Sequence, residues 1–149
     1  MSASGPRIDI VRSIMEAWGR HDIDTVLAHV ADDVEWHYHV GSRPVQGSAD
    51  MRKVLDKLQH HQLQSRWRVI RHAEADDAVF IEAIDDYVNP DGYRVQAPYM
   101  GVYEFDGETV TAWRDYVDLA EMSKAETGEP LPEWIEALVN REAARTSEA

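Results

Sequence analysis

The feature that most constrains the fold is a change of hydrophobic period partway along the chain. Up to Leu58 the apolar residues recur at helical spacing in three segments, with one strand-like stretch, residues 34–40, before the third. After Leu58 they alternate instead, in four runs separated by turn signals: residues 66–74, 79–88, 93–105 and 109–117. This order predicts an α+β fold, in which about three N-terminal helices pack into a strongly curved antiparallel or mixed sheet.

Several local signals refine this prediction. Asp22 can cap the second helix, which is expected to run to Val30 and to be broken by residues 31–33. Pro98 lies inside the third alternating run, so a bend or bulge is expected there, because proline cannot donate to a strand ladder. A short helix is expected after Val117, and another from Pro132. Helices packed into a bent sheet enclose a cone-shaped, half-open cavity, which is a usual place for a small apolar ligand.

The length and composition limit the classes of function. A chain of 149 residues suits one domain, residues 1–149, with flexible ends at 1–6 and 146–149. The formal net charge of -13 argues against nucleic acid or an anionic membrane as a partner. The chain contains no cysteine, which excludes disulfides and thiol catalysis. It has no apolar run of transmembrane length and no apolar signal core near Met1, so a cytoplasmic location is expected.

Two aspartates lie on mostly apolar strand faces. Alternate side chains of a strand share a face, so Asp115 lies between Trp113 and Val117. Asp85 has a similar setting in the run 79–88. An ionised carboxylate on a core-facing side is costly unless it finds partners or holds a proton. Each residue could instead cap a turn or pair with a surface arginine, but two such acids in one pocket would form a general acid–base pair.

Three segments resemble limonene-1,2-epoxide hydrolases, within the broader group of NTF2-like and SnoaL-like folds. They are residues 100–119, residues 82–85, and the paired first helices, residues 10–33. The resemblance implies an NTF2-like cone with an apolar cavity. It also implies roles for the two aspartates: Asp115 corresponds to the base that activates water, and Asp85 to the acid that protonates the epoxide oxygen.

The chain departs from this family at the water site. The arginine that bridges the two acids in the family corresponds to Ala83, and the water-holding tyrosine and asparagine correspond to Trp36 and Tyr38. Without the arginine, two close carboxyls cannot easily both ionise, so we expect them to share one proton. A shared proton still supplies one acid and one base. The nucleophile is then either water or a hydroxyl group of the substrate.

Three functions remain open at this point. The first is opening of an epoxide by water or by an internal hydroxyl, as in a hydrolase or cyclase. The second is the chemistry of ketosteroid-isomerase-like or SnoaL-like isomerases and cyclases, which use a single aspartate. The third is non-catalytic binding of a hydrophobic ligand, because a family member that has lost its catalytic activity would also lack family residues. In each case the predicted ligand is a small hydrophobic molecule, lined by Met15, Trp18, Trp36, Tyr38, Ala83, Tyr87, Tyr99, Trp113 and Val117.

Histidine spacing and loop composition indicate no metal site and no cofactor. His37 and His39 are two residues apart, but spacing places no third ligand beside them, and both should face away from a cavity that Trp36 and Tyr38 face. No glycine-rich phosphate loop is present, so no nucleotide cofactor is expected.

A homodimer is expected from the predicted sheet. Similar folds commonly pair through the sheet, and the face assigned to this contact carries Arg66, Arg68, Tyr103 and Phe105.

Overall fold

A computed structural model describes residues 6–144 of the chain. The ends predicted to be flexible lie outside these residues, apart from Pro6. The described part contains five helices: α1 (Arg7–Gly19), α2 (Ile23–Ala28), α3 (Ser48–Leu58), α4 (Leu119–Glu126) and α5 (Glu133–Val139). It contains six strands: β1 (Val30–His37), β2 (Val45–Gln46), β3 (Arg68–Ala75), β4 (Ala78–Val88), β5 (Arg94–Asp106) and β6 (Thr109–Val117).

All six strands form one curved, unclosed sheet in the order β2-β1-β6-β5-β4-β3. The pair β1 and β6 is parallel, and every other pair is antiparallel. This mixed sheet, together with its helices, confirms the predicted α+β class. The order also makes β4, β5 and β6 neighbours, so that Asp85 on β4 and Asp115 on β6 are separated by one strand.

The main core lies between helices α1 to α3 and the inner face of the sheet. Apolar residues at helical spacing meet the inward residues of the strands, and their burial supplies most of the stabilisation of such a fold. The largest contributors are Val11, Ile14, Trp18, Val26, Met51, Leu55, Ile81, Tyr103, Phe105 and Trp113. Helix α5 covers part of the opposite face, where Val139 packs on Ile70 and Ile84. None of the described helices is long and apolar enough to cross a membrane.

The structure corrects two of the local predictions. Helix α2 ends at Ala28, and β1 already begins at Val30, which pairs with Val110 of β6. The acidic stretch that was expected to break a helix therefore lies within a strand, because this pairing outweighs the local signal. Pro98 does not interrupt β5, since it pairs in continuous register with Ile84. Along β5, pairing with β6 begins only at Tyr99, the residue after Pro98. No neighbour on that side therefore requires the missing N–H of Pro98.

The predicted pairing surface was wrong in two of its residues. Tyr103 and Phe105 are buried in the core, because alternate residues of β5 from Val95 onward face inward. Arg68 is exposed, but its guanidinium donates to the backbone carbonyl oxygens of Val139, the last residue of α5, and of Arg141. The outward face of the sheet instead exposes three large apolar side chains: Phe80, Met100 and Tyr116.

Candidate active site

One pocket opens between the helices and the inner face of the sheet. Both aspartates singled out from the sequence line it, together with six of the predicted ligand-binding residues: Trp18, Trp36, Tyr38, Tyr99, Trp113 and Val117. Sequence reasoning did not identify the remaining lining residues, which are Val26, His39, Leu55, Leu58, Gln62, Trp67 and Met122. The wall is therefore mostly aromatic and aliphatic, and the two carboxyls are its only acidic groups among the described residues.

Three predicted ligand-binding residues are not brought into this pocket. Met15 lines a separate groove on the surface of α1. Ala83 is fully buried in the core. Tyr87 packs against Met122, and its hydroxyl donates to the carboxylate of Glu126. Helical spacing for Met15 and alternation for Ala83 and Tyr87 correctly predicted that these residues are buried, but an inward face also supplies the packed core beneath a pocket.

Asp115 is held on β6 by the indole of a neighbouring residue. Trp113 Nε1 donates to Asp115 Oδ1 at 3.0 Å. Gly101 faces it on β5, where an added Cβ would lie 3.1 Å from the same oxygen, so the glycine leaves room for the carboxyl. Burial raises the pKa of Asp115 well above its usual value, the charge of Asp85 raises it further, and the indole hydrogen bond partly opposes the shift.

Asp85 is held in a similar way by a different indole. Trp67 Nε1 donates to Asp85 Oδ1. Burial raises the pKa of Asp85 to about 7, the Trp67 hydrogen bond opposes the shift, and the neighbouring charge of Asp86 adds to it. Asp86 itself faces the other side of the sheet, where Arg94 binds it through two hydrogen bonds of 3.0 and 2.7 Å.

Trp67 binds the acid that the family's arginine would contact. It is a neutral donor, so it can fix the position of the Asp85 carboxylate without supplying a positive charge. The two carboxyls interact electrostatically, because the charge of Asp85 raises the pKa of Asp115. This supports the expectation that the pair holds one proton near neutral pH.

Gln62 connects two aromatic residues of the pocket wall by hydrogen bonds. It is 1% exposed, and Trp18 Nε1 donates to its Oε1 at 3.0 Å. Its Nε2 donates to the hydroxyl oxygen of Tyr38, also at 3.0 Å. Gln62 lies in the turn region after α3, where no periodic pattern marks a residue as inward, so no sequence signal identifies it.

The prediction that both strand histidines face away from the cavity was wrong for His39. Strand β1 ends at His37 and the chain bends, so the alternation stops and His39 joins the pocket wall. Burial lowers the pKa of His39, which keeps its imidazole neutral at pH 7. His37 remains outside the wall, with its Nε2 2.9 Å from Glu35 Oε1. Within residues 6–144 no cluster of three or more possible ligands could hold a metal ion.

Known proteins resemble this chain in sequence and in structure. The family profile of the limonene-1,2-epoxide hydrolase catalytic domain matches residues 6–127. Epoxide hydrolase EphG of Mycobacterium tuberculosis is 31% identical over 115 residues, which cover 76% of this chain and 74% of that protein. The solved structure of an LEH-like epoxide hydrolase from M. tuberculosis is 29% identical, with a TM-score of 0.71 over 82% of this chain and 90% of that one.

A structural likeness extends to the wider fold group. An NTF2-like protein of unknown function from Burkholderia pseudomallei has a TM-score of 0.75 at 21% identity, covering 83% of this chain and 99% of that one. This match confirms the predicted NTF2-like fold. The family profile covers most of the chain, including both aspartates of the pocket. The chain therefore belongs to the limonene-1,2-epoxide hydrolase family.

Proposed function

We propose that this protein opens the epoxide ring of a small hydrophobic substrate, with Asp85 and Asp115 as a general acid–base pair. The observation that carries the proposal is the presence of two coupled carboxyls in one mostly apolar pocket. Each carboxyl accepts a hydrogen bond from one indole, which holds it in place. Burial raises both pKa values towards the range in which a carboxyl can donate or accept a proton at neutral pH.

The proton of the ligand-free pair lies on Asp115. Each carboxyl accepts one indole hydrogen bond that favours its ionised form, but only the pKa of Asp115 is raised further by the charge of its partner. The correspondence to the family makes Asp115 the base and Asp85 the acid. With these roles, the proton first passes from Asp115 to Asp85, directly or through one water.

The chemical step then returns the pair to its starting state. Asp115 takes a proton from the nucleophile, whose oxygen bonds to one epoxide carbon while the carbon–oxygen bond on that carbon breaks. Asp85 gives its proton to the epoxide oxygen, which becomes a hydroxyl. The proton is again on Asp115, as it was before substrate bound, so no further proton donor is required.

The nucleophile distinguishes two versions of this proposal. With water the product is a vicinal diol, and with a hydroxyl of the substrate the product is a cyclic ether bearing a new hydroxyl. The pocket favours the second version, because Trp36 corresponds to a residue that holds water in the family. An indole N–H can only donate, so Trp36 cannot accept a hydrogen bond from water as a hydroxyl or amide oxygen does.

Turnover of paired probe epoxides tests the proposal. We would incubate the protein with 1-methylcyclohexene oxide and with 4,5-epoxyhexan-1-ol, and measure diol and cyclic ether by chiral gas chromatography. We expect cyclic ether to form from the epoxy-alcohol, and Asp115→Asn and Asp85→Asn each to abolish it. Activity that survives Asp85→Asn would indicate single-aspartate chemistry of the isomerase kind. Binding of both probes without any turnover would overturn the enzyme in favour of a ligand-binding module.

A further inference from the structure

The direction of each hydrogen bond around Gln62 is fixed by the chemistry of its partners. The indole of Trp18 can only donate, so the Gln62 atom that faces it must be the carbonyl oxygen Oε1. A flipped amide would place two donors against each other at 3.0 Å. The amide nitrogen therefore faces Tyr38 and donates to its hydroxyl oxygen. This assignment needs no observed hydrogen position.

The proton of the Tyr38 hydroxyl must then point elsewhere. Its oxygen already accepts from Gln62, and no acceptor for its proton exists among residues 6–144. Tyr38 lines the pocket that contains both aspartates. Burial and the charges of Asp85 and Asp115 raise the pKa of Tyr38, so the hydroxyl keeps its proton. The pocket thus contains a neutral hydroxyl donor with a vacant direction.

A second donor without a partner belongs to the neighbouring ring of Trp36. Trp36 Nε1 is buried and has no hydrogen-bond partner within the described part of the chain. The Trp36 and Tyr38 rings contact each other edge to face, with their centroids 5.4 Å apart, and both rings line the pocket. A buried donor without a partner is uncommon and costly, and a ligand acceptor would relieve that cost.

We propose that Tyr38 is a substrate-binding residue that donates a hydrogen bond to an oxygen of the substrate, and that Gln62 is the positioning residue that fixes this polarity. Trp36, whose ring contacts that of Tyr38, carries a second donor without a partner. The ligand class is a neutral, mostly apolar molecule with an oxygen acceptor: an epoxide, ether or carbonyl. For the identity of the reacting oxygen this inference rests on the proposed function, but the binding of an acceptor oxygen does not.

A pair of probe ligands tests this donor without any turnover. Cyclohexanone carries an acceptor oxygen, and methylenecyclohexane has nearly the same shape without one. Removing one neutral hydrogen bond should weaken binding roughly three- to tenfold. We therefore expect Tyr38→Phe to weaken binding of cyclohexanone by this factor, measured by calorimetry, and to leave binding of methylenecyclohexane unchanged. The carbonyl stretch of bound ¹³C-labelled cyclohexanone should move to higher frequency in the same variant.

Gln62→Met separates positioning from packing. It keeps most of the volume of the side chain but removes the amide that orients Tyr38. We expect weaker cyclohexanone binding in the otherwise unchanged protein and no further weakening in the Tyr38→Phe background, because Gln62 acts through that hydroxyl. Tyr93→Phe, which removes a surface hydroxyl, is the matched control and should change the binding of neither ligand.

The following results would overturn the inference. Equal weakening of both ligands by Tyr38→Phe would assign Tyr38 a packing role alone. Unchanged cyclohexanone binding in Tyr38→Phe, or no binding of cyclohexanone to the natural protein, would remove the donor altogether. Additive effects of the two substitutions would show that Gln62 does not act through Tyr38. Because these measurements need no reaction, they can succeed in a protein that opens no epoxide and fail in one that does.

Discussion

Trp67 Nε1 donates a hydrogen bond to Asp85 Oδ1, which joins the loop before β3 to the acid on β4. In the family an arginine contacts this acid, but an arginine at Ala83 has no space here, because Ala83 is fully buried in the core. The indole favours the ionised form of Asp85 without adding a positive charge. We therefore expect the pair to keep one proton instead of losing both, which is the central feature of the proposed chemistry.

Removing the indole donor should shift the pH dependence of turnover. Activity requires one proton on the pair, so it should fall below pH 7 as Asp85, whose pKa is about 7, also takes a proton. It should fall again at higher pH as Asp115 loses its proton. In Trp67→Phe the ionised form of Asp85 loses its partner, so the acidic limb should move up by about one pH unit. Turnover of 4,5-epoxyhexan-1-ol at several pH values checks this.

The control for this shift is Trp134→Phe, since Trp134 is 72% exposed on α5. It should leave the profile unchanged. An acidic limb that stays in place in Trp67→Phe would show that the indole does not tune Asp85.

Replacing Asp85 by asparagine should stabilise the protein at high pH and not at low pH. The pKa of Asp85 rises from about 3.9 in the unfolded chain to about 7 in the folded one. The free-energy penalty for burying an ionised carboxylate is therefore absent well below pH 4, where both states are protonated. This penalty grows as the pH rises to 7. We expect Asp85→Asn to raise the free energy of unfolding relative to the natural protein, and this gain should be about 1–3 kcal/mol larger at pH 8 than at pH 5.

Urea unfolding at the two pH values measures this difference. Asp56→Asn, on the exposed face of α3, is the matched control and should show no such pH dependence. Equal stability of Asp85→Asn and the natural protein at both pH values would show that Asp85 is ionised at little cost in the folded state.

Gly101→Ala should damage the site more than the fold. Gly101 has ordinary backbone geometry, so only the added methyl matters. It would lie 3.1 Å from Asp115 Oδ1 and 3.2 Å from Ile81 Cγ1, and one of them must move. We expect stability to fall by about 1–2 kcal/mol and turnover by up to about a hundredfold through the displaced carboxyl. Loss of stability with unchanged turnover would place the Asp115 carboxyl outside the reaction.

We propose that the protein is a homodimer paired through the outward face of the sheet. Met100 and Tyr116 are 51% and 47% exposed and pair across β5 and β6, and Phe80 lies on the same face. Clustered apolar side chains of this kind mark protein contacts. Sedimentation at micromolar concentration should show a dimer that Met100→Glu dissociates and Trp134→Glu does not. A monomeric natural protein would contradict the proposal.

The sequence predicted the regular helices and strands, in which side-chain direction repeats with a fixed period. Helical spacing and alternation located the elements, and the strand faces of Asp85 and Asp115 followed from the period of two. The resemblance then supplied their chemical roles. Ala83 shows the limit of the pattern, because alternation separates inward from outward but cannot separate a pocket wall from the core beneath it.

Three of the lining residues that sequence reasoning missed lie outside regular elements. Trp67 and Gln62 belong to the segment between α3 and β3, and His39 follows the end of β1. Where neither period applies, the direction of a side chain depends on long-range contacts, such as those of Gln62 with Trp18 and of Trp67 with Asp85. These contacts join residues far apart in the chain, so no local pattern records them.

The shared proton can be measured directly by ¹³C NMR titration of aspartate side-chain carboxyls in the natural protein, Asp85→Asn and Asp115→Asn. We expect two carboxyls of the natural protein to titrate above the usual range, Asp85 near pH 7 and Asp115 well above its usual value. In Asp85→Asn the pKa of Asp115 should fall, because the neighbouring charge is gone. Two carboxyls that both titrate near pH 4, with neither affected by loss of the other, would contradict the acid–base pair.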